Sequence, residues 1–124
     1  MKLMDEAIKA KNNSYSPYSK FKVGAALLTD DGLIYKGCNI ESVSHTPTCC
    51  AERTAFFKAI SEGKRNFKAI AISGDTEVCY PCGVCRQVMN EFCNKDFKIY
   101  VGNKDNIEEY TLNDLLPHSF DLEK

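Results

Sequence analysis

KAIAIS, running from Lys68 to Ser73, is an almost unbroken apolar segment. It is short enough for a strand and lacks the polar alternation of a strand that faces water on one side, so it reads as a strand buried on both faces. A strand of that kind needs helices to cover it. On its N-terminal side, Ala51, Ala55, Phe56, Ala59 and Ile60 recur at helical spacing and Gly63 closes the pattern. Thr46 or Thr48 is expected to cap this helix, with Pro47 in its first turn. On the other side a helix is expected to begin near Cys82, with Cys85, Val88, Met89 and Phe92 on one face.

Further out, FKIYV (Phe97 to Val101) reads as the next strand and Ile107 to Tyr110 as a short edge strand beside it. TLND, from Thr111, has the form of a capping box for a last short helix. Upstream, Leu3, Met4, Ala7 and Ile8 predict a helix from Leu3 to Lys11, and NNSYSPYSKF reads as a loop. KVGAALLT and LIYKGC then flank DDG, a turn signal that makes them a β-hairpin. Helix, hairpin, helix, strand, helix, strand is the order of a three-layer α-β-α domain of the α/β class with a mixed central sheet.

A chain of 124 residues fits one such domain, spanning 1–124. Its composition, 44% apolar and 27% charged, is that of a globular protein. Sixteen basic against seventeen acidic side chains give a net charge of −1, without the basic excess that phosphate neutralisation demands, so no nucleic-acid partner is expected. No apolar run is long enough to span a bilayer, and MKLMDEAIKA lacks the apolar centre of a signal peptide. A cytoplasmic location without a membrane partner is therefore expected. In that compartment seven cysteines, an odd number, point to metal or thiol chemistry and not to a disulfide framework.

That chemistry concentrates in TCCAERTAFF (Thr48 to Phe57) and CYPCGVC (Cys79 to Cys85). Cys82 and Cys85 lie three apart at the start of a helix, so both thiols can face one point. Cys50 sits in another first turn, where unpaired N–H groups and the helix dipole favour the thiolate that binds metal. Three such thiolates make a Zn2+ site with one position left for water or substrate. Glu52, two residues past Cys50, is placed to move protons beside the metal without ligating it. Arg53 could donate to a cysteine sulfur and offset the negative charge of a three-thiolate zinc site. The competing reading is a closed four-cysteine structural site that adds Cys79, although Pro81 biases Tyr80 toward an extended conformation that turns Cys79 away. Cys49 reads as a packed thiol, Cys38 and Cys93 as small buried residues, and His45 and His118 as residues not needed as ligands.

The order C-x-E followed by P-C-x-x-C is the known pattern of zinc-dependent nucleobase deaminases. Together with YSPYSKFKVGAAL, GCNIES, CCAERTAFFKAISEG, PCGVCRQV and LLPHSF, it makes the chain resemble, over nearly its full length, the small homotetrameric zinc-dependent cytidine deaminases of pyrimidine salvage. The resemblance implies a cytidine-deaminase-like fold. It also implies hydrolytic deamination of cytidine and deoxycytidine to the uridine products by a zinc-activated hydroxide. It assigns Cys50, Cys82 and Cys85 as zinc ligands and Glu52 as proton shuttle. Ala51 would offer its N–H to the pyrimidine carbonyl, and Asn39 and Glu41 would hydrogen-bond the ribose 3′-hydroxyl. Phe21 would pack on the base, Tyr80 would present its backbone carbonyl to the departing amine, and Gln87 would support the zinc shell beside Arg53. Phe120 would reach a neighbouring subunit's site, as expected of a homotetramer with shared active sites. Two positions depart from the family pattern. His45 stands where a tyrosine is expected, and Tyr80 stands where serine or threonine is usual. A related deaminase acting on another cytosine-bearing small molecule, such as a nucleoside antibiotic, is the neighbouring possibility.

Overall fold

The computed structural model describes residues 2–44, 48–75 and 80–116, and the KAIAIS segment lies at the centre of its five-stranded sheet. The chain runs through α1 (Lys2–Ala10), a 3-10 turn (Lys11–Asn13), β1 (Val23–Thr29), β2 (Ile34–Cys38), α2 (Ala51–Ser61) and β3 (Phe67–Gly74). It continues through α3 (Gly83–Phe92), β4 (Lys98–Gly102), β5 (Ile107–Thr111) and α4 (Leu112–Leu115). The strands lie in the order β2-β1-β3-β4-β5. β1 pairs antiparallel with β2 and β3, β3 runs parallel to β4, and β4 is antiparallel to β5. The sheet is mixed, as the order of elements requires.

Two cores flank the sheet, and the alternation along β3 explains both. Ala69 and Ala71 turn to the face that holds Leu3, Met4 and Ala7 of α1. Ile70 and Ile72 turn to the opposite face, where Ala55 and Phe56 of α2 and Met89 of α3 pack with Leu27. Small residues on the first face let α1 approach closely. A Cβ placed on Gly24 would lie 2.1 Å from the Ala7 carbonyl oxygen and 2.6 Å from the Lys11 nitrogen. On the larger face Phe56 is the anchor, edge-on to Phe67 at 5.2 Å between ring centroids.

The hairpin turns through Gly32 at φ +88, a conformation that costs glycine little. The Thr111 capping box forms, with Asp114 as its reciprocal partner. α2 differs from expectation at its start. Its N-cap is Cys50, not Thr46 or Thr48. Backbone hydrogen bonds in both directions between Ile40 and Cys49, at 2.9 and 2.8 Å, hold this stretch extended, so the helix cannot begin before Ala51. The Thr48 hydroxyl instead accepts from the Ser42 N–H at 2.9 Å. His45, Thr46, Pro47, Cys79, His118 and Phe120 lie outside the described residues. Among the described residues, no helix is long and apolar enough to cross a membrane.

Candidate active site

Two helices begin side by side at one end of the sheet. α3 follows the carboxyl end of β3, the place where open α/β sheets put their ligand sites. α2 is set by its contact with β2. A Cβ on Gly37 would stand 2.4 Å from the Ala51 carbonyl oxygen and 2.5 Å from the Ala55 nitrogen, so the first turn of α2 rests on bare strand backbone.

The two starts bring three thiols together. Cys50 caps α2 and Cys82 caps α3, and Cys85 is buried one turn inside α3. The sulfurs of Cys50 and Cys82 are 3.7 Å apart, those of Cys82 and Cys85 are 3.4 Å apart, and all three lie within 4.8 Å of one another. The Cys85 N–H points to the Cys82 sulfur at 3.4 Å, so the cap of α3 is itself a sulfur. A hydrogen bond from Cys85 and the Arg53 guanidinium hold the Cys50 thiol well below its ordinary value, down to about 5, against the opposing effect of burial. A second thiolate beside the first is disfavoured without a cation, and Cys85 is pushed up by the hydrogen bond it gives to Cys50 and by burial. Convergent sulfurs with a guanidinium directed at one of them form a donor set suited to a thiophilic ion such as zinc.

Glu52 is only 4% exposed although it sits in the first turn of α2. Burial pushes its carboxyl up to about 7, and the charge on Cys50 adds to the rise, while its own backbone N–H, a hydrogen bond with Cys85 and the Arg53 charge oppose it. A carboxyl poised there can exchange a proton near neutral pH. Arg53 donates through Nη2 to the Cys50 sulfur and to the Thr48 carbonyl, both at 3.4 Å.

A cleft of ≈ 220 Å³ opens beside the sulfurs, and Asn39, Glu41, Ala51, Glu52, Tyr80 and Cys82 contribute to its wall. Asn39 and Glu41 also organise the loop before β1. Asn39 Oδ1 accepts from the Val23 N–H at 3.0 Å and from the Ser14 hydroxyl, and its Nδ2 donates to the Phe21 carbonyl at 2.8 Å. Glu41 accepts from the N–H groups of Tyr18 and Ser19, both at 3.1 Å, and from the Ser19 hydroxyl, bonds that hold its carboxyl below the usual range. Phe21 is half-buried just ahead of Val23 and is not among the residues that wall the cleft. Gln87 lies on α3, two residues past Cys85.

Two contributors carry no obvious mark in the sequence. Arg86 donates from Nε to the Pro81 carbonyl at 2.8 Å and from Nη1 to the Leu115 carbonyl at 3.0 Å, tying the residue before Cys82 to the end of α4. Its place between Cys85 and Gln87 in PCGVCRQV was the available clue. Ser14 braces Asn39 from 25 positions away, which no local pattern signals.

The family model for the cytidine and deoxycytidylate deaminase zinc-binding region matches residues 1–101. The chain is similar to a cytidine deaminase of Sporosarcina psychrophila, 56% identical over 124 residues that cover 98% of this chain and 91% of that one. It is similar also to one of Halalkalibacterium halodurans, 53% identical, with 98% and 93% covered. Among solved structures, the cytidine deaminase of Burkholderia pseudomallei matches with a TM-score of 0.92 at 43% identity, covering 96% of this chain and 97% of that chain. That of Mycobacterium tuberculosis matches at 0.86 and 38% identity, with 98% and 96% covered.

Proposed function

The chain belongs to the zinc-binding cytidine and deoxycytidylate deaminase family, and from that premise we infer that it hydrolyses cytidine to uridine and ammonia, and deoxycytidine likewise. The observation that carries the reading is the convergence of the Cys50, Cys82 and Cys85 sulfurs beside a cleft whose wall includes Cys50, Cys82 and the buried Glu52. Cys50, Cys82 and Cys85 would hold the zinc. When bound, that ion supplies Lewis acidity, making water a nucleophile near neutral pH.

The protein's own residues do the rest. Glu52 takes one proton from the attacking water and gives it to the ring nitrogen, which keeps it in uridine. It then carries the remaining proton of the added hydroxyl to the departing amine, so water supplies the oxygen gained, the ring N–H and one of the three hydrogens lost as ammonia. The burial of Glu52 and its carboxyl at about 7 support this role, because proton transfer is most efficient when the group titrates near the working pH. The Ala51 N–H, in the first turn of α2, lies where the helix has no internal acceptor for it and is assigned to the pyrimidine carbonyl. Asn39 and Glu41 are assigned to the ribose and Tyr80, through its backbone carbonyl, to the leaving amine; their positions on the cleft wall support both. Phe21 is assigned to the base by its match to the family pattern; its carbonyl is held by Asn39 Nδ2, from a residue of the cleft wall. Gln87 and Arg53 are assigned to the zinc shell.

We further propose a homotetramer whose sites are completed by Phe120 of a neighbour. Tyr15, Tyr18, Ile40 and Val43 are all exposed, Val43 at 72%, and the loop carrying the first two borders the cleft; apolar surface so placed supports a subunit contact.

Ammonia release from cytidine by the zinc-loaded protein, with Glu52→Gln as the paired control, tests the reading. Release by the parent, and its loss in a variant that still folds and binds zinc, is expected. Equal turnover by both would overturn the role of Glu52, and silence from the parent on cytidine and deoxycytidine would overturn the reaction.

A further inference from the structure

Tyr80 belongs to the cleft wall, yet its phenol points elsewhere. The hydroxyl lies 3.0 Å from the Tyr110 hydroxyl and donates to Glu108 Oε1 at 3.2 Å. The Tyr110 hydroxyl also donates to the same Glu108 oxygen. The two rings meet edge-on with centroids 5.5 Å apart. Glu108 and Tyr110 stand on β5, the edge strand two places beyond β3, and neither contributes to the cleft. The Glu108 carboxylate pushes the Tyr110 phenol well above its ordinary value, so this phenol stays a donor throughout the neutral range.

We propose that Glu108 and Tyr110 are positioning residues for the deamination site, holding the Tyr80 ring out of the cleft so that residue 80 presents backbone, not phenol, to the substrate. The inference rests on the assignment of Tyr80 to the substrate given above and explains how a tyrosine is accommodated where the family usually has a small hydroxyl residue. A ring turned inward would take up much of a ≈ 220 Å³ cleft in direct competition with a nucleoside. The next residue is held from the other side, since Arg86 Nε fixes the Pro81 carbonyl at 2.8 Å. The Tyr80–Pro81 segment is thus held on two sides, and release of the phenol frees the ring while the Pro81 carbonyl stays fixed.

The test is a coupled set of variants of the zinc-loaded protein, read by steady-state kinetics on cytidine and by calorimetric titration with uridine. Glu108→Ala with Tyr110→Phe removes the acceptors but keeps the second ring. It should raise KM and weaken uridine binding by roughly three- to tenfold, the size expected for loss of one or two hydrogen bonds, with a smaller change in kcat. Glu108→Gln, which keeps an acceptor, should stay near the parent. In a Tyr80→Ser background there is no ring to restrain, and the same pair of changes should add less than about twofold. An equal penalty in both backgrounds would show that Glu108 and Tyr110 act structurally, and no penalty beside Tyr80 would show that the ring needs no restraint; either overturns the inference. Contacts between isotope-labelled Tyr80 and Tyr110 rings, read by nuclear Overhauser effects, check the geometry without turnover and should be lost in the double variant. Their absence in the parent overturns the inference even if the enzyme is active, whereas a parent that shows them but neither binds uridine nor releases ammonia overturns the proposed reaction and, with it, the inference.

Discussion

Arg53 Nη2 lies 3.4 Å from the Cys50 sulfur, one turn along the helix that Cys50 caps. Among the described residues, its Nε is a buried nitrogen without a hydrogen-bond partner, so the guanidinium is held in place by sulfur and by the Thr48 carbonyl. A cation so placed stabilises thiolate and offsets the excess negative charge of three sulfurs around a divalent ion. Arg53→Gln should therefore weaken zinc binding by about 10–100-fold, the range typical when a residue supporting a metal ligand is lost. Competition with a chromophoric chelator measures this directly. Arg53→Lys should recover only part, because an ammonium lacks the planar fork. Unchanged affinity in Arg53→Gln would place the guanidinium outside the metal's electrostatics.

Removal of the metal should leave the fold and expose the thiols unevenly. Cys82 is exposed and Cys50 half-buried, whereas Cys85 is 1% exposed within the larger core. Protein stripped by a chelator should lose deamination and regain it with zinc. It should melt at a lower temperature, since a ligand bound only to the native state stabilises that state. In a thiol-reagent titration, Cys50 and Cys82 should react quickly when zinc is absent and be protected when it is present, with Cys85 slow throughout. Equal rates with and without zinc at Cys50 and Cys82 would argue against their role as ligands.

The legible parts of the fold were those written in local periodicity. The β3 run, the helical stripe from Ala51 to Ala59, the DDG hairpin and the Thr111 capping box depend on neighbours a few positions apart, and all form. The thiol cluster was legible because metal chemistry restricts residue type and spacing: Cys50, Cys82 and Cys85 meet as the two motifs require. The start of α2 was not legible. Thr48 has the right side chain for a cap, but the bridge between Ile40 and Cys49 is a contact nine positions long that overrides local preference. Arg86, Ser14 and the Tyr80 contact with β5 were illegible for the same reason, since their partners lie 5 to 30 positions away.

Glu41 makes the loop before β1 sensitive to acid. Hydrogen bonds from the Ser19 hydroxyl and from the backbone N–H groups of Ser19 and Tyr18 lower its carboxyl from an ordinary value of 4.5. A carboxyl depressed in the folded state contributes stability that is complete above its unfolded value and disappears as pH falls through the folded one. The contribution should thus be present above pH 4.5 and decline below it. Glu41→Gln removes the titration, so its melting temperature should fall less steeply than the parent's as pH drops below that value. Parallel acid limbs for the two proteins would show that the loop does not depend on the ionised carboxyl.

Gly37 links the sheet to the chemistry, and a single methyl group tests the link. A Cβ there would lie 2.4 Å from the Ala51 carbonyl oxygen and 2.5 Å from the Ala55 nitrogen, both backbone atoms that no side-chain rotation can clear. Gly37→Ala must lift the first turn of α2 off β2, and that turn carries the Ala51 N–H and Glu52 and follows Cys50. The stability cost should be about 1–3 kcal/mol, as for other overpacked sites. Since Glu52 must keep its distance to the sulfurs, kcat/KM should fall well beyond what the loss of folded protein explains. Gly32→Ala is the control. Its φ of +88 makes alanine strained, but open space surrounds the site, so it should cost about 1 kcal/mol in stability and leave kcat/KM of the folded fraction unchanged. Denaturant titration paired with kinetics on cytidine separates the two effects. Equal kcat/KM for both variants after correction for folded fraction would show that the seat of α2 on β2 is not what positions Glu52.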